Sequence, residues 1–288
     1  MKILVTTHPF NADVTSLKNL GYEIHYNDKK KKYTQQEVTD KIQEVNPDII
    51  IAGTEKYSVD QLDLYTNLKM IARLGVGIDS IDLNEVNRRN IVVMNTPEAP
   101  TEAVSELTIS MILMGTKRIL EQQIWNKVKG KNISECVIGI IGFGRIGKSV
   151  YEKIQSFNPK GILINDKLYQ NSDSIDDIIQ TCDVITLHVP DLDKKIDYNQ
   201  LSKMKKDVIL INTARGKLLN EKDLVYWLRQ NKEAQVFLDV YEKEPYSGEL
   251  QECSNAFLTP HIGSYTFSTR KKMEEQCVKN ILTFIKGK

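Results

Sequence analysis

The feature that most constrains the fold is an alternation of short apolar, β-branched runs with longer amphipathic segments. Alternation of this kind favours parallel sheets covered by helices on both faces, and strands that are almost wholly apolar favour full burial. We predict helices at Thr34–Val45, Thr101–Met114, Ile146–Phe157, Glu221–Gln230 and Phe267–Lys286. We predict strands at Lys2–Thr6, Asp48–Ala52, Met70–Arg73, Ile91–Met94, Val137–Ile141, Ile162–Asn165, Val184–His188, Val208–Asn212, Ala234–Leu238 and Ala256–Leu258.

The alternation runs twice, over about residues 1–95 and again over about residues 136–260. Between the two series, Thr101–Met114 reads as a long buried helix that crosses from one domain to the other. The final helix could cross back and pack on the first domain. We therefore predict an α/β protein with two doubly wound parallel-sheet domains. Residues 98–265 would form a domain inserted into a discontinuous one made of residues 1–97 and 266–288.

A glycine-rich turn, Gly142-Phe143-Gly144-Arg145-Ile146-Gly147, lies between a predicted buried strand and a predicted helix. In this context the first glycine permits a tight turn and the second lets the backbone approach a pyrophosphate. The third allows close packing of the helix on the strand. Phosphates would then lie at the amide-rich end of the helix. The pattern predicts a Rossmann-like dinucleotide-binding domain, although a turn of this kind that binds nothing is the alternative.

An acidic residue lies at the end of the next strand, where a dinucleotide-binding domain uses a carboxylate to bind the ribose. Asp166 ends the next predicted strand, nineteen residues after Gly147, against an expected separation of about 20. A carboxylate there accepts hydrogen bonds from both ribose hydroxyls and repels a 2′-phosphate. The sequence therefore predicts NAD as the cofactor, with the neighbouring Lys167 as the one feature that weakens the preference over NADP.

Three further motifs each follow a predicted strand of the second series. They contain Arg215 in Asn212–Gly216, Glu244 in Leu238–Pro245 and His261 in Thr259–Ser264. Because ligands of open α/β sheets bind beyond the carboxyl ends of the strands, these three side chains could converge on one crevice.

The three residue types suit the reduction of a 2-oxo acid. An arginine can hold the carboxylate and polarise the adjacent carbonyl through its planar fork of donors. Hydride transfer to the carbonyl carbon leaves an alkoxide, to which a histidine can donate a proton near neutral pH. A glutamate beside that histidine is expected to stabilise the imidazolium and raise its pKa.

Each of these residues also has an ordinary interpretation. Arg215 alone could be a surface ion-pair residue, Glu244 a loop acid and His261 a structural histidine. His188 competes with His261 for the catalytic role, but it follows an earlier strand. We interpret His188-Val189-Pro190 as lining the cofactor crevice.

Composition excludes several classes of partner. The formal net charge is +1, so no overall field predicts a nucleic-acid or membrane partner. The 4 cysteines form no CxxC pair or zinc knuckle, so we predict no metal and reduced packing thiols. We find no secretory signal pattern and no apolar run of about 18 residues, which favours a cytoplasmic location.

Taken together, the motifs resemble the D-isomer-specific 2-hydroxyacid dehydrogenase family, of which phosphoglycerate dehydrogenase is one branch. The resemblance covers the chain from about residue 45 to the C-terminus. It rests on the Gly142–Gly147 turn with Asp166, the three strand-end motifs, Arg73-Leu74-Gly75-Val76-Gly77-Ile78-Asp79, and the run Asn95-Thr96-Pro97 leading to Glu106-Leu107-Thr108.

The resemblance implies a role for each matching residue. Arg215 would bind the substrate, Glu244 would pair with the histidine, and His261 would be the general acid and base. Arg73 and the Val76-Gly77 backbone would also contact the substrate, in a substrate-binding domain that holds residues 1–97 and 266–288. The NAD-binding domain, residues 98–265, would build a homodimer. Cofactor contacts are implied for Gly142, Gly144, Arg145, Ile146, Gly147, Asp166, His188, Val189, Pro190, Thr213, Ala214, Asp239 and Gly263.

Departures from the family pattern leave the substrate open. Glu98-Ala99-Pro100-Thr101 replaces the Gly-Asn that often follows the Asn-Thr-Pro run. The stretch Ile51–Lys56 lacks the arginine that helps phosphoglycerate dehydrogenases hold the phosphate. The candidate substrates are 3-phosphoglycerate and the pair glyoxylate and hydroxypyruvate. An NAD-responsive corepressor-like binding protein is the alternative function, and formate dehydrogenase is disfavoured because that branch has glutamine where Glu244 stands.

Overall fold

The computed structural model describes residues 1–122 and 127–287, and it divides into two compact units. One unit is Met1–Pro100 together with the C-terminal segment from Thr266, and the other is Thr101–Tyr265. All strand pairs within both sheets are parallel, so the predicted α/β class with two parallel-sheet domains is confirmed.

The strands are β1 (Lys2–Val5), β2 (Glu23–His25), β3 (Ile49–Ala52), β4 (Met70–Arg73), β5 (Val92–Met94), β6 (Val137–Ile141), β7 (Gly161–Asn165), β8 (Val184–Leu187), β9 (Ile209–Asn212), β10 (Gln235–Leu238) and β11 (Ala256–Leu258). The α-helices are α1 (Thr15–Asn19), α2 (Gln35–Val45), α3 (Val59–Leu62), α4 (Leu83–Arg88), α5 (Pro100–Thr116), α6 (Arg145–Gln155), α7 (Ile175–Thr181), α8 (Tyr198–Leu201), α9 (Glu221–Gln230) and α10 (Phe267–Lys286). Short 3₁₀ turns lie at Ile119–Glu121, Ile133–Glu135, Gly216–Leu218 and Glu249–Glu252.

The first unit is built on a five-stranded sheet in the order β2-β1-β3-β4-β5. Its central strand β3 is buried along its whole length. Helix α10 covers one face, where Met273, Cys277 and Ile281 pack in one cluster with residues of β1, β3 and β4. The final helix therefore packs on the sheet of the first unit. Apolar residues at these spacings form one face of α10, which explains why it docks there.

The second unit is built on a six-stranded sheet in the order β11-β10-β9-β8-β6-β7. The chain enters at β6, continues to β7 on one side and then returns to β8 on the other. A reversal of strand order leaves a crevice beyond the carboxyl ends of the strands, and in sheets of this type ligands bind there. Helix α5, predicted to cross between domains, lies in this unit from Thr101 onward. Its Met111 and Ile112 belong to one apolar cluster with residues of β6, β8, β9 and β10.

Strand β2 is absent from the predicted set, and its sequence explains why. Glu23-Ile24-His25 is only three residues long and carries two polar side chains. As an edge strand it needs one apolar contact rather than full burial, so its sequence lacks the continuous apolar run of a central strand. The other edge strands, β5, β7 and β11, are likewise only partly buried.

Candidate active site

The glycine-rich turn joins β6 to α6, and two of its glycines are required by close contacts. Gly142 has φ +101°, and a Cβ there would lie 2.6 Å from the carbonyl carbon of His188. A Cβ on Gly147 would collide with the carbonyl oxygen of Gly142. Larger residues at either position would force the turn apart, so both glycines set its shape.

The second glycine of the turn, Gly144, faces open space rather than protein. A Cβ on Gly144 would meet no atom within 4 Å. Gly144 is also the N-cap of α6, and no side chain caps that end of the helix. The helix therefore begins with uncapped amides, among them those of Arg145 and Ile146, beside an empty surface. This arrangement fits a pyrophosphate, which needs donors, positive helix-end potential and room for close approach.

Asp166 follows β7 and ties the glycine turn to that strand. Its Oδ2 accepts a hydrogen bond of 2.7 Å from the Phe143 amide, and its Oδ1 accepts one of 2.8 Å from the Leu168 amide. The carboxylate thus places a negative charge directly beside the turn. The same acceptors suit ribose hydroxyls, and the charge opposes a phosphate on the ribose.

His188 follows β8, and its imidazole is held as a neutral ring. Burial lowers the pKa of His188 to about 3. Its Nε2 lies 3.0 Å from the Thr186 hydroxyl. A ring that stays unprotonated near neutral pH is a poor proton donor, so the competition between His188 and His261 favours His261. The half-buried Val189 and the exposed Pro190 continue the loop beside Gly142.

The side chains of Glu244 and His261, each of which follows a strand of the second sheet, are in contact. The Nδ1 atom of His261 lies 2.7 Å from Oε2 of Glu244. The other carboxylate oxygen, Oε1, accepts a hydrogen bond of 3.2 Å from the Tyr241 amide. The His261 side chain is 46% exposed, so a substrate can reach it. With Nδ1 engaged by Glu244, Nε2 is the ring nitrogen that can exchange a proton with a ligand.

The buried carboxylate of Asp239 anchors the loop that carries His261 through hydrogen bonds. The sequence motif Thr259–Ser264 did not predict this contact. Asp239 is 1% exposed. Its Oδ1 accepts from the Ile262 amide at 2.7 Å and its Oδ2 from the Gly263 amide at 2.8 Å. These bonds hold the backbone while His261 adopts φ +54°, a left-handed conformation that costs an L-residue about 1–2 kcal/mol. The implied contacts of Asp239 and Gly263 with the cofactor remain predictions.

Arg215 lies in the loop after β9. Asn212 organises this loop, because its Nδ2 donates to the Arg215 carbonyl at 2.8 Å and its Oδ1 accepts from the Ala214 amide at 3.0 Å. The next residue, Gly216, lies so close to the Tyr241 carbonyl that a Cβ would collide with it. The loop of Arg215 and the loop of Glu244 therefore lie side by side. Thr213 is buried, with its hydroxyl 3.1 Å from that of Thr108 on α5.

The remaining predicted substrate contacts lie in the first unit, in the loop after β4. The Gly75 amide donates to the Thr96 hydroxyl at 2.8 Å, and the Asn95 side-chain amide donates to the Val76 carbonyl at 2.7 Å. Asn95 and Thr96 thus hold the Gly75–Gly77 loop that begins just after Arg73. In the sequence, the segment Arg73–Asp79 stood out only because it resembles the family motif. The two hydrogen bonds show that Asn95 and Thr96 fix the backbone of this segment.

Two other findings concern metals and membranes. Within the residues that the structure describes, no group of three or more His, Cys, Asp or Glu side chains could hold a metal ion. No described helix is long and apolar enough to cross a membrane.

Comparison with known proteins identifies the family. Residues 107–263 match the family model described as D-isomer specific 2-hydroxyacid dehydrogenase, NAD binding domain. The chain is 33% identical to glyoxylate reductase of Thermofilum pendens, covering 81% of this chain and 77% of that protein. It is 30% identical to hydroxypyruvate reductase of Thermotoga maritima, covering 90% and 97%.

A solved structure supports the same family. D-Lactate dehydrogenase from Aquifex aeolicus, complexed with NAD and lactic acid, superposes with a TM-score of 0.84 at 26% identity over 100% of this chain and 96% of that one. These relatives are named as enzymes, and they lend no support to the corepressor-like alternative. The chain therefore belongs to the D-isomer specific 2-hydroxyacid dehydrogenase family and is an NAD-dependent 2-hydroxyacid oxidoreductase.

Proposed function

We propose that the protein catalyses reversible hydride transfer between NADH and a small 2-oxo acid, with glyoxylate or hydroxypyruvate as substrate and the D-2-hydroxy acid as product. The observation that carries this proposal is the 2.7 Å contact between His261 and Glu244, at strand ends of the same unit as the glycine turn. The names of the relatives, glyoxylate reductase and hydroxypyruvate reductase, favour these two acids over 3-phosphoglycerate.

The proposed proton transfer is divided between two side chains, His261 and Glu244. NADH, when bound, supplies the hydride to the carbonyl carbon. His261 donates its Nε2 proton to the carbonyl oxygen as that oxygen gains negative charge. Glu244 holds Nδ1, which orients the ring and stabilises the imidazolium that precedes proton donation. In the reverse direction the neutral His261 accepts the hydroxyl proton.

Arg215 is the proposed binder of the substrate carboxylate, because a guanidinium can offer two parallel N–H donors to two oxygens. Residues 1–97 and 266–288 form the proposed substrate-binding domain. Its Val76-Gly77 backbone offers amides, and Arg73 offers positive charge. These roles rest on the family resemblance and on the way Asn95 and Thr96 hold the loop.

A panel of 2-oxo acids tests the proposed function. Purified protein with NADH is expected to reduce glyoxylate and hydroxypyruvate with kcat/KM values at least about tenfold above that for phosphohydroxypyruvate. Oxidation of NADH is followed at 340 nm, and chiral chromatography identifies the D-product. Absence of turnover across the panel, in protein shown by calorimetry to bind NADH, would overturn the proposal.

Asp166 is proposed to select NADH over NADPH. We expect Asp166→Ser to raise kcat/KM for NADPH relative to NADH by about 10–100-fold, because serine removes both the ribose acceptor and the negative charge. The matched control is Asp176→Asn, which neutralises an exposed acid of the same unit that pairs with Lys203. An unchanged cofactor ratio in Asp166→Ser would show that another residue sets the preference.

The oligomer is proposed to be a homodimer formed through the NAD-binding domain. An apolar groove of about 480 Å³ between α5 and the edge strand β11 supports this, lined by Leu107, Met111, Met114, Leu120 and Phe257 among others. Light scattering should give about twice the chain mass of 33.0 kDa. We expect Leu120→Glu, but not the control Leu168→Glu at a more exposed leucine of the same unit, to shift the protein towards monomer. A monomeric wild-type protein would refute the proposal.

The cytoplasm is the proposed location. The four cysteines, Cys136, Cys182, Cys253 and Cys277, are buried and unpaired in the described chain. Thiols that pack as small apolar side chains suit a reducing compartment.

A further inference from the structure

A buried carboxylate in the first unit has one oxygen with no hydrogen-bond partner among the described residues. Glu55 is 6% exposed, and its Oε2 is buried and accepts no hydrogen bond from any described residue. The side chain folds back over the end of β3, because a Cβ on Gly53 would lie 2.9 Å from its Oε1 and 3.0 Å from its Oε2. An unpartnered buried acceptor with a negative charge is costly to keep, so it calls for a donor from outside the chain.

Two tyrosines lie near this carboxylate. Burial, followed by the negative charge of Glu55, raises the pKa of both Tyr57 and Tyr65 well above the usual range of a phenol. The hydroxyl of Tyr65 has no hydrogen-bond partner among the described residues. Neutral hydroxyls beside a carboxylate form a polar site that favours donors and disfavours added negative charge.

The carboxylate lies next to the loop proposed to meet the substrate. Strands β3 and β4 are neighbours, with Ala52 paired to Arg73. Adjacent strands are about 4.8 Å apart, so the residues that follow β3 and β4 lie within the reach of a three-carbon acid. The guanidinium of Arg73 folds over Gly75, just as the carboxylate of Glu55 folds over Gly53. This edge of the sheet therefore offers a cation and an anion on adjacent strand ends.

We propose that Glu55 is a specificity-determining residue, which accepts a hydrogen bond from a hydroxyl on C3 of the substrate and excludes substrates with a phosphate there. The inference rests on the proposed function and deepens it, since it selects 3-hydroxy-2-oxo acids such as hydroxypyruvate within the 2-oxo acids. A hydroxyl supplies the donor that Oε2 lacks. A phosphate ester in the same place supplies no donor and sets its charge against a carboxylate.

The test compares substrate ratios in wild-type protein and Glu55→Gln. We expect the ratio of kcat/KM for hydroxypyruvate over glyoxylate, which has no C3, to fall by about 3–10-fold. Glutamine keeps an acceptor oxygen, so the hydroxyl loses the charge assistance of its hydrogen bond rather than the whole bond. The ratio of kcat/KM for phosphohydroxypyruvate over glyoxylate should rise, because the repulsive charge is gone. If Glu55 had a purely structural role, its replacement would not lower kcat/KM for one substrate and raise it for another, each relative to glyoxylate.

A second variant keeps the test decisive if Glu55→Gln folds poorly. Gly53→Ala retains the carboxylate but pushes it from its position, and the backbone of Gly53 is not in the left-handed region that would itself resist alanine. It should lower the hydroxypyruvate to glyoxylate ratio in the same direction. The matched control is Glu85→Gln, a buried acid of the same unit held by Arg88 and Arg89 on α4, which should leave both ratios unchanged.

The outcomes separate this inference from the proposed function. Unchanged substrate ratios in Glu55→Gln and Gly53→Ala, with active wild-type protein, would overturn the role of Glu55 and leave the proposed function standing. No turnover of any 2-oxo acid by wild-type protein would instead overturn the proposed function.

Discussion

Replacement of His261 by glutamine is expected to lower kcat for glyoxylate reduction by about 10²–10⁴-fold, the usual contribution of a positioned general acid. The dissociation constant for NADH should change by less than about threefold. The reason lies in the contact of 2.7 Å between Nδ1 and Glu244. A glutamine amide can keep a hydrogen bond to Glu244, but it has no proton to release to an alkoxide at neutral pH.

The substitution should also leave the surrounding loop in place. The Asp239 carboxylate accepts hydrogen bonds from the backbone amides of Ile262 and Gly263, and these bonds do not involve the side chain at position 261. A large loss of kcat can therefore be assigned to the lost proton donor rather than to a displaced loop. Stopped-flow absorbance separates the hydride-transfer step from product release, and fluorescence titration gives the NADH affinity.

Two companion variants make the result interpretable. Glu244→Gln should lower kcat less, by about 10–100-fold, because the ring keeps its proton but loses the charge that stabilises the imidazolium. His25→Gln is the matched control, since His25 lies on edge strand β2 of the other unit and pairs with Glu23. Full activity in His261→Gln would remove His261 from its proposed role.

The fold was predictable in the segments where burial requires a continuous run of apolar residues. Central strands such as β6 and β9 are continuous apolar runs between turns, and the predicted range of β6 matches the structure residue for residue. Edge strand β2 was not predicted, because its three residues include no fully buried side chain and pair in parallel register with β1 with only the partly buried Ile24 packed on the core. The short helices α1 and α3 were not predicted either, because four or five residues are too few to show a helical period in the sequence.

The candidate site was predictable where chemistry follows a strand. Parallel sheets align the carboxyl ends of their strands, so the rule that ligands bind there led from three motifs to the pair of Glu244 and His261. The side-chain interactions that hold the site residues in place were not predictable. The bonds from Asp239 to the His261 loop, and the position of Glu55 over Gly53, depend on side-chain directions that no motif records.

Replacement of Arg215 by methionine is expected to lower kcat/KM for glyoxylate by about 10²–10⁴-fold, as the loss of two hydrogen bonds between charged groups implies. Arg215→Lys should recover only part of this, because an ammonium keeps the charge but lacks the planar fork that matches a carboxylate. The Asn212 side chain anchors the Arg215 backbone through the carbonyl, so the loop should survive either change. Steady-state kinetics give kcat/KM, and calorimetry checks that NADH still binds.

The contrast between the lysine and methionine variants distinguishes two ways in which Arg215 could act. If positive charge alone attracts the substrate, lysine should restore nearly wild-type kcat/KM, and the activity of both variants should depend strongly on ionic strength. If the paired donors orient the acid for hydride transfer, lysine should remain about 100-fold impaired at any salt concentration. Arg229→Met is the control, since Arg229 is a half-exposed arginine of the same unit that pairs with Glu249 and Glu252. We expect the second result, and equal loss in Arg229→Met would show that the effect is not specific to the site.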